Sequence, residues 1–316
     1  YSYARVVRER NEAERGLYVS SIYLARESVG NKRYDVALSA LARAPRALRR
    51  WEWGFYDRLC RRDEHTLTGH QGGVGAIEYD SKGTRLLTAS DDGTARLWDA
   101  ASGAPARVLA GHTDELTCAH FSLDGSRAIT ASRDGTARIF DTSTGKESAT
   151  LLGHSGAVLA ACFSPDGTPA ATASEDGTAR LWDAATGDEI GAPVEHGDVV
   201  TDVRFTANGA RFATASFDGT AGLWEAATGR RVLTLQHDSE VLGLDVDSAG
   251  GRLLTWSADG SVRVWSLESG DESARVAGEP GALCGAAFSP QGDRFSATGS
   301  DGTTKVYDSE QGALRT

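Results

Sequence analysis

Serine, histidine and aspartate recur together along this 316-residue chain. Those three side chains can act as nucleophile, general base and orienting carboxylate in acyl transfer. A catalytic triad is needed once, however, and here the set returns in four near-complete copies, which is the signature of a structural motif. A triad also needs an exposed serine beside an oxyanion hole. Asp91-Asp92-Gly93 opens like a calcium loop but lacks the later ligands and the closing glutamate, so a solvated tight turn is expected. The segment from Gly69 to Gly75 is glycine-rich, yet it lies between two expected strands with no helix after it, so it is no phosphate cradle. Cys60, Cys118, Cys162 and Cys284 are too few and too scattered for a zinc site or a disulfide framework. The last three fall in expected strands and read as small buried thiols. No metal and no cofactor is expected.

The elements that carry these residues repeat. DDGTARLWD at Asp91–Asp99 returns as RDGTARIFD at Arg133–Asp141 and EDGTARLWD at Glu175–Asp183. FDGTAGLWE follows at Phe217–Glu225, ADGSVRVWS at Ala258–Ser266 and SDGTTKVYD at Ser300–Asp308. The Asp-Gly pairs are 42, 42, 42, 41 and 42 residues apart. Each unit opens on a pair such as Gly69-His70, Gly111-His112 or Gly153-His154, then runs through alternating apolar residues and a turn such as Pro165-Asp166-Gly167. A run like LLTAS, the Asp-Gly turn and TARLW complete it. That punctuation predicts four short strands per unit. In the third strand Thr94, Arg96 and Trp98 share one face and Ala95 and Leu97 the other.

These residues resemble the WD-repeat family over roughly four-fifths of the chain, from about Asp63 onward. The resemblance implies a β-propeller of four-stranded blades around a central channel. It also implies a buried, hydrogen-bonded tetrad in each blade that ties the opening loop to the sheet. The matching residues are His70, Ser90, Asp92 and Trp98; His154, Ser174, Asp176 and Trp182; His196, Ser216, Asp218 and Trp224; and His237, Ser257, Asp259 and Trp265. The second unit has His112, Ser132 and Asp134, but Phe140 replaces the tryptophan and has no indole N–H to donate. The sixth keeps only Asp301, with Glu279, Gly299 and Tyr307 at the other positions, so its blade should be the loosest. The fold expected is an all-β propeller of six WD repeats with an N-terminal α-helical segment. Six blades are favoured, closed by a strand at His65–His70 that completes the last one, with seven as the alternative in a longer parent chain.

Residues 1–62 carry no repeat and read as helices that pack on the propeller of residues 63–316. Leu17, Tyr18, Ser21, Ile22, Ala25 and Val29 form one apolar stripe, ended by Gly30-Asn31. Tyr34, Ala37, Leu38 and Leu41 form a second, interrupted at Pro45, and Leu48, Trp51, Phe55 and Leu59 a third. Leu17-Tyr18 and the Arg-x-Trp-Glu-Trp motif at Arg49–Trp53 are similar to a segment that precedes the WD repeats of multidomain bacterial serine/threonine protein kinases. That resemblance implies a sensor-kinase parent, but no kinase signature lies in this chain. Core anchoring is the plainer role for Trp51 and Trp53.

Net charge is −11, split unevenly. Residues 1–62 hold 14 Lys and Arg against 7 Asp and Glu, and the rest holds 19 against 37. An acidic bulk argues against binding a nucleic-acid backbone there. The longest nearly apolar stretch, GAVLAACF from Gly156, is too short to span a bilayer. The chain begins at Tyr1, has no methionine and shows no signal-peptide pattern, so a piece of a longer protein is expected. A cytoplasmic location is favoured, with an extracytoplasmic one if the parent is a membrane-anchored kinase.

The function expected is a non-catalytic protein-interaction scaffold or sensor module of a larger bacterial signalling protein, binding a protein partner on one propeller face. The alternatives are a target-recognition or substrate component of a protease or defence system, and a propeller hydrolase. The last would need a non-repeated acidic, histidine or metal cluster at the channel mouth, and none is evident along the sequence. The residue before each turn aspartate varies while its flanks do not, which marks Arg133, Glu175 and Phe217 as partner-binding candidates. Asp114 and Asp198, in the loops after the histidines, should share that face.

Overall fold

The computed structural model describes residues 13–14, 17–28, 33–45, 48, 65–278 and 283–314. The chain divides into two compact units, Tyr1–Thr66 and Leu67–Thr316.

In the first unit, helix α1 covers residues 17–28 and α2 covers Tyr34–Arg43. Their apolar stripes meet: Ala25, Ala37, Ala40 and Leu41 are buried together, with Ile22 and Leu38 packed against them. Helix α2 stops because Ala44 turns to an extended conformation (ψ 129°) ahead of Pro45, whose ring disfavours a helical residue before it. The third stripe, with Trp51 and Trp53, lies outside the described residues.

The second unit is six antiparallel sheets. The first holds β1 (Val74–Tyr79), β2 (Arg85–Ser90), β3 (Thr94–Asp99) and β4 (Pro105–Ala110). The second holds β5 (Leu116–Phe121), β6 (Arg127–Ser132), β7 (Ala137–Asp141) and β8 (Glu147–Leu151). The third has β9 (Val158–Phe163), β10 (Pro169–Ser174), β11 (Thr178–Asp183) and the two-residue β12 (Val194–Glu195). The fourth runs β13 (Val200–Phe205), β14 (Arg211–Ser216), β15 (Thr220–Glu225) and β16 (Arg231–Gln236). The fifth runs β17 (Val241–Val246), β18 (Arg252–Ser257), β19 (Ser261–Ser266) and β20 (Glu272–Ala277). The sixth has three strands, β21 (Leu283–Phe288), β22 (Arg294–Gly299) and β23 (Thr304–Asp308), with one further bridge from Tyr307 to Leu314.

Each sheet is a meander whose first strand packs on the first two strands of the sheet before it. Small residues at fixed register make that approach close. Leu87, Ala89, Ala95 and Leu97 of the first sheet face Leu116, Ala119 and Phe121 of the second in one buried cluster. The same positions recur in the next interface as Ile129, Ala131, Ala137 and Ile139 against Val158 and Ala161.

An arginine at the start of the second strand staples the first, second and fifth sheets to the sheet that follows; Pro169 takes its place in the third, and Arg211 of the fourth reaches the Leu267 carbonyl at 3.4 Å. Arg85 donates to the Gly125 carbonyl (2.6 Å) and to Thr142 Oγ1 (2.9 Å) of the next sheet, and its guanidinium lies over the Phe121 ring. Arg127 lies over Phe163 and reaches the Gly167 and Ala184 carbonyls. Arg252 repeats this with Phe288, Gly292 and Ser309.

The expected closing strand does not form. Residues 65–70 are not β-structure; His70 is bound to Asp92 and Thr88 of its own blade, just as His112 is to Asp134 and Thr130 after β4. Among the described residues, the sixth and first sheets share no packing comparable to the other five interfaces. The first strand is left open accordingly: Val74 is 54% exposed, Ile77 63% and Tyr79 60%, whereas Leu116, Val158, Val200 and Val241 at the Val74 position are all buried.

Candidate functional site

Buried polar residues hold the loops to the sheets. In the third blade His154 Nδ1 donates to Asp176 Oδ2 (2.9 Å), which fixes the other ring nitrogen as an acceptor. Nε2 then accepts from Thr172 Oγ1 (2.7 Å), and Thr172 in turn accepts from the Trp182 indole (2.8 Å). The first and fourth blades repeat this chain through Thr88 and Thr214. The threonine is therefore the link between histidine and tryptophan, and the serine is not. Ser174 Oγ accepts from the Asp176 backbone N–H and donates to the Gly156 carbonyl, closing the Asp-Gly turn onto the opening loop. Ser132, Ser216 and Ser257 do the same, and Ser90 accepts from Asp92. This threonine sits at the third position of the LLTAS-like run in each of the first five units, so its recurrence was the available signal.

Two blades vary the arrangement. In the second, Phe140 fills the tryptophan position as a buried apolar ring, while His112 keeps Asp134 (2.9 Å) and Thr130 (2.8 Å). In the fifth, His237 stands 3.9 Å from Asp259, too far for a hydrogen bond, and approaches Ser261 instead. Arg263 has entered, pairing with Asp238 at 2.7 Å and Asp259 at 3.4 Å. In the sixth blade Asp301 is exposed and bonds only Thr303; Glu279 lies outside the described residues.

Electrostatics follow from burial and bonding. Burial pushes the His112, His154 and His196 imidazoles below the ordinary histidine value, against the pull of their aspartates. Burial and then Arg263 push His237 down to about 4. Burial raises the Asp134, Asp176 and Asp218 carboxyls, but the hydrogen bonds they accept outweigh it and bring each down to about 2. The set is a neutral imidazole held by an anionic carboxylate. The hydroxyl on the histidine is that of Thr172 in the third blade, buried and already accepting from the Trp182 indole, so it is not the exposed nucleophile that a triad needs.

The Asp-Gly turns and histidine loops come to one face. Gly135 sits against the His154 and Gly156 carbonyls of the next blade, and Gly177 against His196 and Asp198. Both glycines have φ near +80°, which a Cβ would strain. The variable residues before the aspartates lie on that face. Asp91, Arg133, Glu175 and Ser300 are exposed, and so are Asp114 and Asp198. Phe217 is 39% exposed. Arg133 stands between Glu115 (3.3 Å) and Glu175 (3.7 Å), joining two blades.

At the opposite end of the first strands, the structure assembles what sequence reading missed. The fifth position of successive first strands carries Glu78, His120, Cys162, Arg204 and Asp245. They are about 42 residues apart in sequence, and only superposing the repeats places them side by side around the axis. Burial pushes the Cys118 thiol up to about 11 and the Cys162 thiol up to about 12, so both are neutral and unreactive. Cys284, expected to be buried, is exposed on β21, where no following blade covers it. Among the described residues no group of histidine, cysteine and carboxylate side chains is placed to hold a metal, and no helix is long and apolar enough to cross a membrane.

Known proteins resemble this chain in its repeats. The profile of the WD domain, G-beta repeat, matches residues 61–99, 103–141, 145–183, 189–225, 229–266 and 273–308. A 79-residue stretch is 28% identical to Protein tipD of Dictyostelium discoideum. That stretch is 25% of this chain and covers 13% of the relative's length.

Proposed function

Because the chain belongs to the WD40 repeat family, whose domains are protein-interaction scaffolds, we propose that it is the partner-recruiting module of a larger bacterial signalling protein and has no catalytic role of its own. The observation that carries this reading is the ring of exposed, unlike residues on a uniform framework. Arg133, Glu175 and Phe217 occupy one repeat position, and the turn beside each is held by the same bonds from Ser132, Ser174 and Ser216. Framework needs explain the constant residues, and a partner explains the variable ones. An exposed phenylalanine flanked by charge is suited to anchoring an interface. The bacterial signalling context rests on the kinase-associated resemblance of Leu17-Tyr18 and the Trp51–Trp53 motif. The histidine sets support the non-catalytic reading, since their hydrogen bonds are spent on holding loops.

The test is affinity capture from a lysate of the source organism with the immobilised 316-residue protein, read by mass spectrometry, beside a Phe217→Ala/Arg133→Glu variant. A partner captured by the parent and lost by the folded variant is the expected result. Undiminished capture by that variant places the partner elsewhere. A kinase domain encoded upstream in the same gene is expected as well, and its absence removes the signalling part of the reading.

A further inference from the structure

We propose that the axial mouth opposite the Asp-Gly turns binds a single carboxylate attached to an apolar body, with Arg204 as its anchor. A cavity of about 250 Å³ opens there, bounded by Glu78, His120, Cys162 and Arg204 and walled by Phe163 and Phe205. It lies on the other face from Phe217 and Arg133, so it is independent of the partner site proposed above.

Several of the polar groups around the axis are already occupied. Glu78 Oε2 accepts from the Phe121 backbone N–H of the next blade (2.8 Å) and pairs with His120 Nδ1 (3.3 Å). Asp202 accepts from Val203 (2.8 Å) and, across the interface, from Leu244 (3.3 Å). Asp245 accepts from Val246 (3.0 Å) and, across the next interface, from Phe288 (2.8 Å). The carboxylates thus staple one first strand to the next.

Arg204 is different. Its Nε is buried with no hydrogen-bond partner, and its nearest carboxylate oxygen, on Asp202, is 3.7 Å away. Yet 35% of the side chain is open to the cavity. A guanidinium presents its donors in a planar fork that matches the two oxygens of one carboxylate. The Nε of Arg204 lacks an acceptor, as do those of Arg96, Arg138 and Arg180, and the exposed remainder of the Arg204 fork is what a carboxylate entering the cavity would meet.

The surroundings limit the ligand's charge. Glu78, Asp202 and Asp245 flank this one arginine, so a polyanion such as a nucleoside triphosphate would meet more repulsion than attraction. A monoanion needs only the one guanidinium. Phe121, Phe163, Phe205, Leu123 and Pro165 around the cavity supply the apolar surface for the rest of the ligand. A free aromatic acid and the carboxyl terminus of a peptide ending in an aromatic residue present the same chemistry.

The probes are 3-phenylpropanoate and 3-phenylpropanamide, titrated onto the full chain by NMR and calorimetry. The acid is expected to bind and the amide to bind at least about tenfold more weakly. Arg204→Gln should lower acid affinity by roughly tenfold or more, with Arg204→Lys in between, since lysine keeps the charge and loses the fork. Phe217→Ala, on the other face, should bind the acid like the parent. A tetrapeptide ending in Phe, tested as free acid and as C-terminal amide, separates the sources: tighter binding than phenylpropanoate indicates a peptide terminus, equal binding a free acid. The proposal is overturned if acid and amide bind alike, if no acid binding occurs at millimolar concentration, or if Arg204→Gln with a parent-like melting curve binds the acid undiminished. The acid–amide comparison on the parent chain decides even if the glutamine variant does not fold.

Discussion

Thr172 is the residue on which the third blade's polar core depends. It accepts from Trp182 and donates to His154, so a single hydroxyl keeps two buried rings satisfied. Thr172→Val keeps the shape and removes both bonds, and should cost roughly 1–3 kcal/mol, read as a lower urea midpoint. Thr172→Ser should cost less. The histidines make a second expectation. Their folded-state pKa values lie below the unfolded value of about 6.5, so the unfolded chain binds more protons as acid is added. Stability is then full above pH ~6.5 and falls as pH drops toward His237's value of about 4. The aspartates add a second loss between pH ~3.8 and about 2. Urea titrations at successive pH values should show both steps, and a midpoint unchanged from pH ~7 to ~5 would contradict the first.

Between elements, the arginine at the head of the second strand in the first, second and fifth sheets ties one blade to the next. Arg127→Ala removes a ring contact with Phe163 and bonds to two carbonyls of the next blade, and should cost about 1–3 kcal/mol in chemical denaturation. Arg294 holds the same repeat position but pairs only with its neighbour Asp293, exposed, so Arg294→Ala should stay within about 0.5 kcal/mol of the parent. Equal losses would mean that the staples carry no interface energy. The strands themselves were legible because each unit repeats its turns and its two-residue alternation. The tetrad was legible in its histidine, aspartate and tryptophan, and misassigned at serine, since spacing alone does not say which hydroxyl faces the ring nitrogen. The Arg204 cavity was illegible along the chain, because it draws one residue from each of several strands that meet only when blades stack. The closing strand was misjudged because its pairing with the sixth sheet is a long-range contact that the local spacing of turns does not specify.

At the scale of the second unit, six sheets stand in a series whose two ends are exposed among the described residues. The leading end shows Val74, Ile77 and Tyr79, while the trailing face of the sixth sheet shows Thr298, Thr304 and Val306 where other sheets bury alanine and leucine. A series whose members touch only their neighbours loosens from its ends inward. Amide exchange should therefore be fastest in the first and sixth sheets and slowest in the third and fourth, and uniform protection across all six would show a closed ring. The staples reach onward by a constant offset: Arg85, Arg127 and Arg252 each meet a carbonyl 40 residues later. An interface built that way does not record which blades it joins. Excising residues 133–174, one period, would splice Ser132 to Glu175 and leave a shorter stack with every junction of its former kind. Excising one residue more or fewer at this point would change the length of the Asp-Gly turn and so the strand pairing across it. The natural unit of variation in this molecule is thus the whole repeat, which can be gained or lost without inventing a new surface.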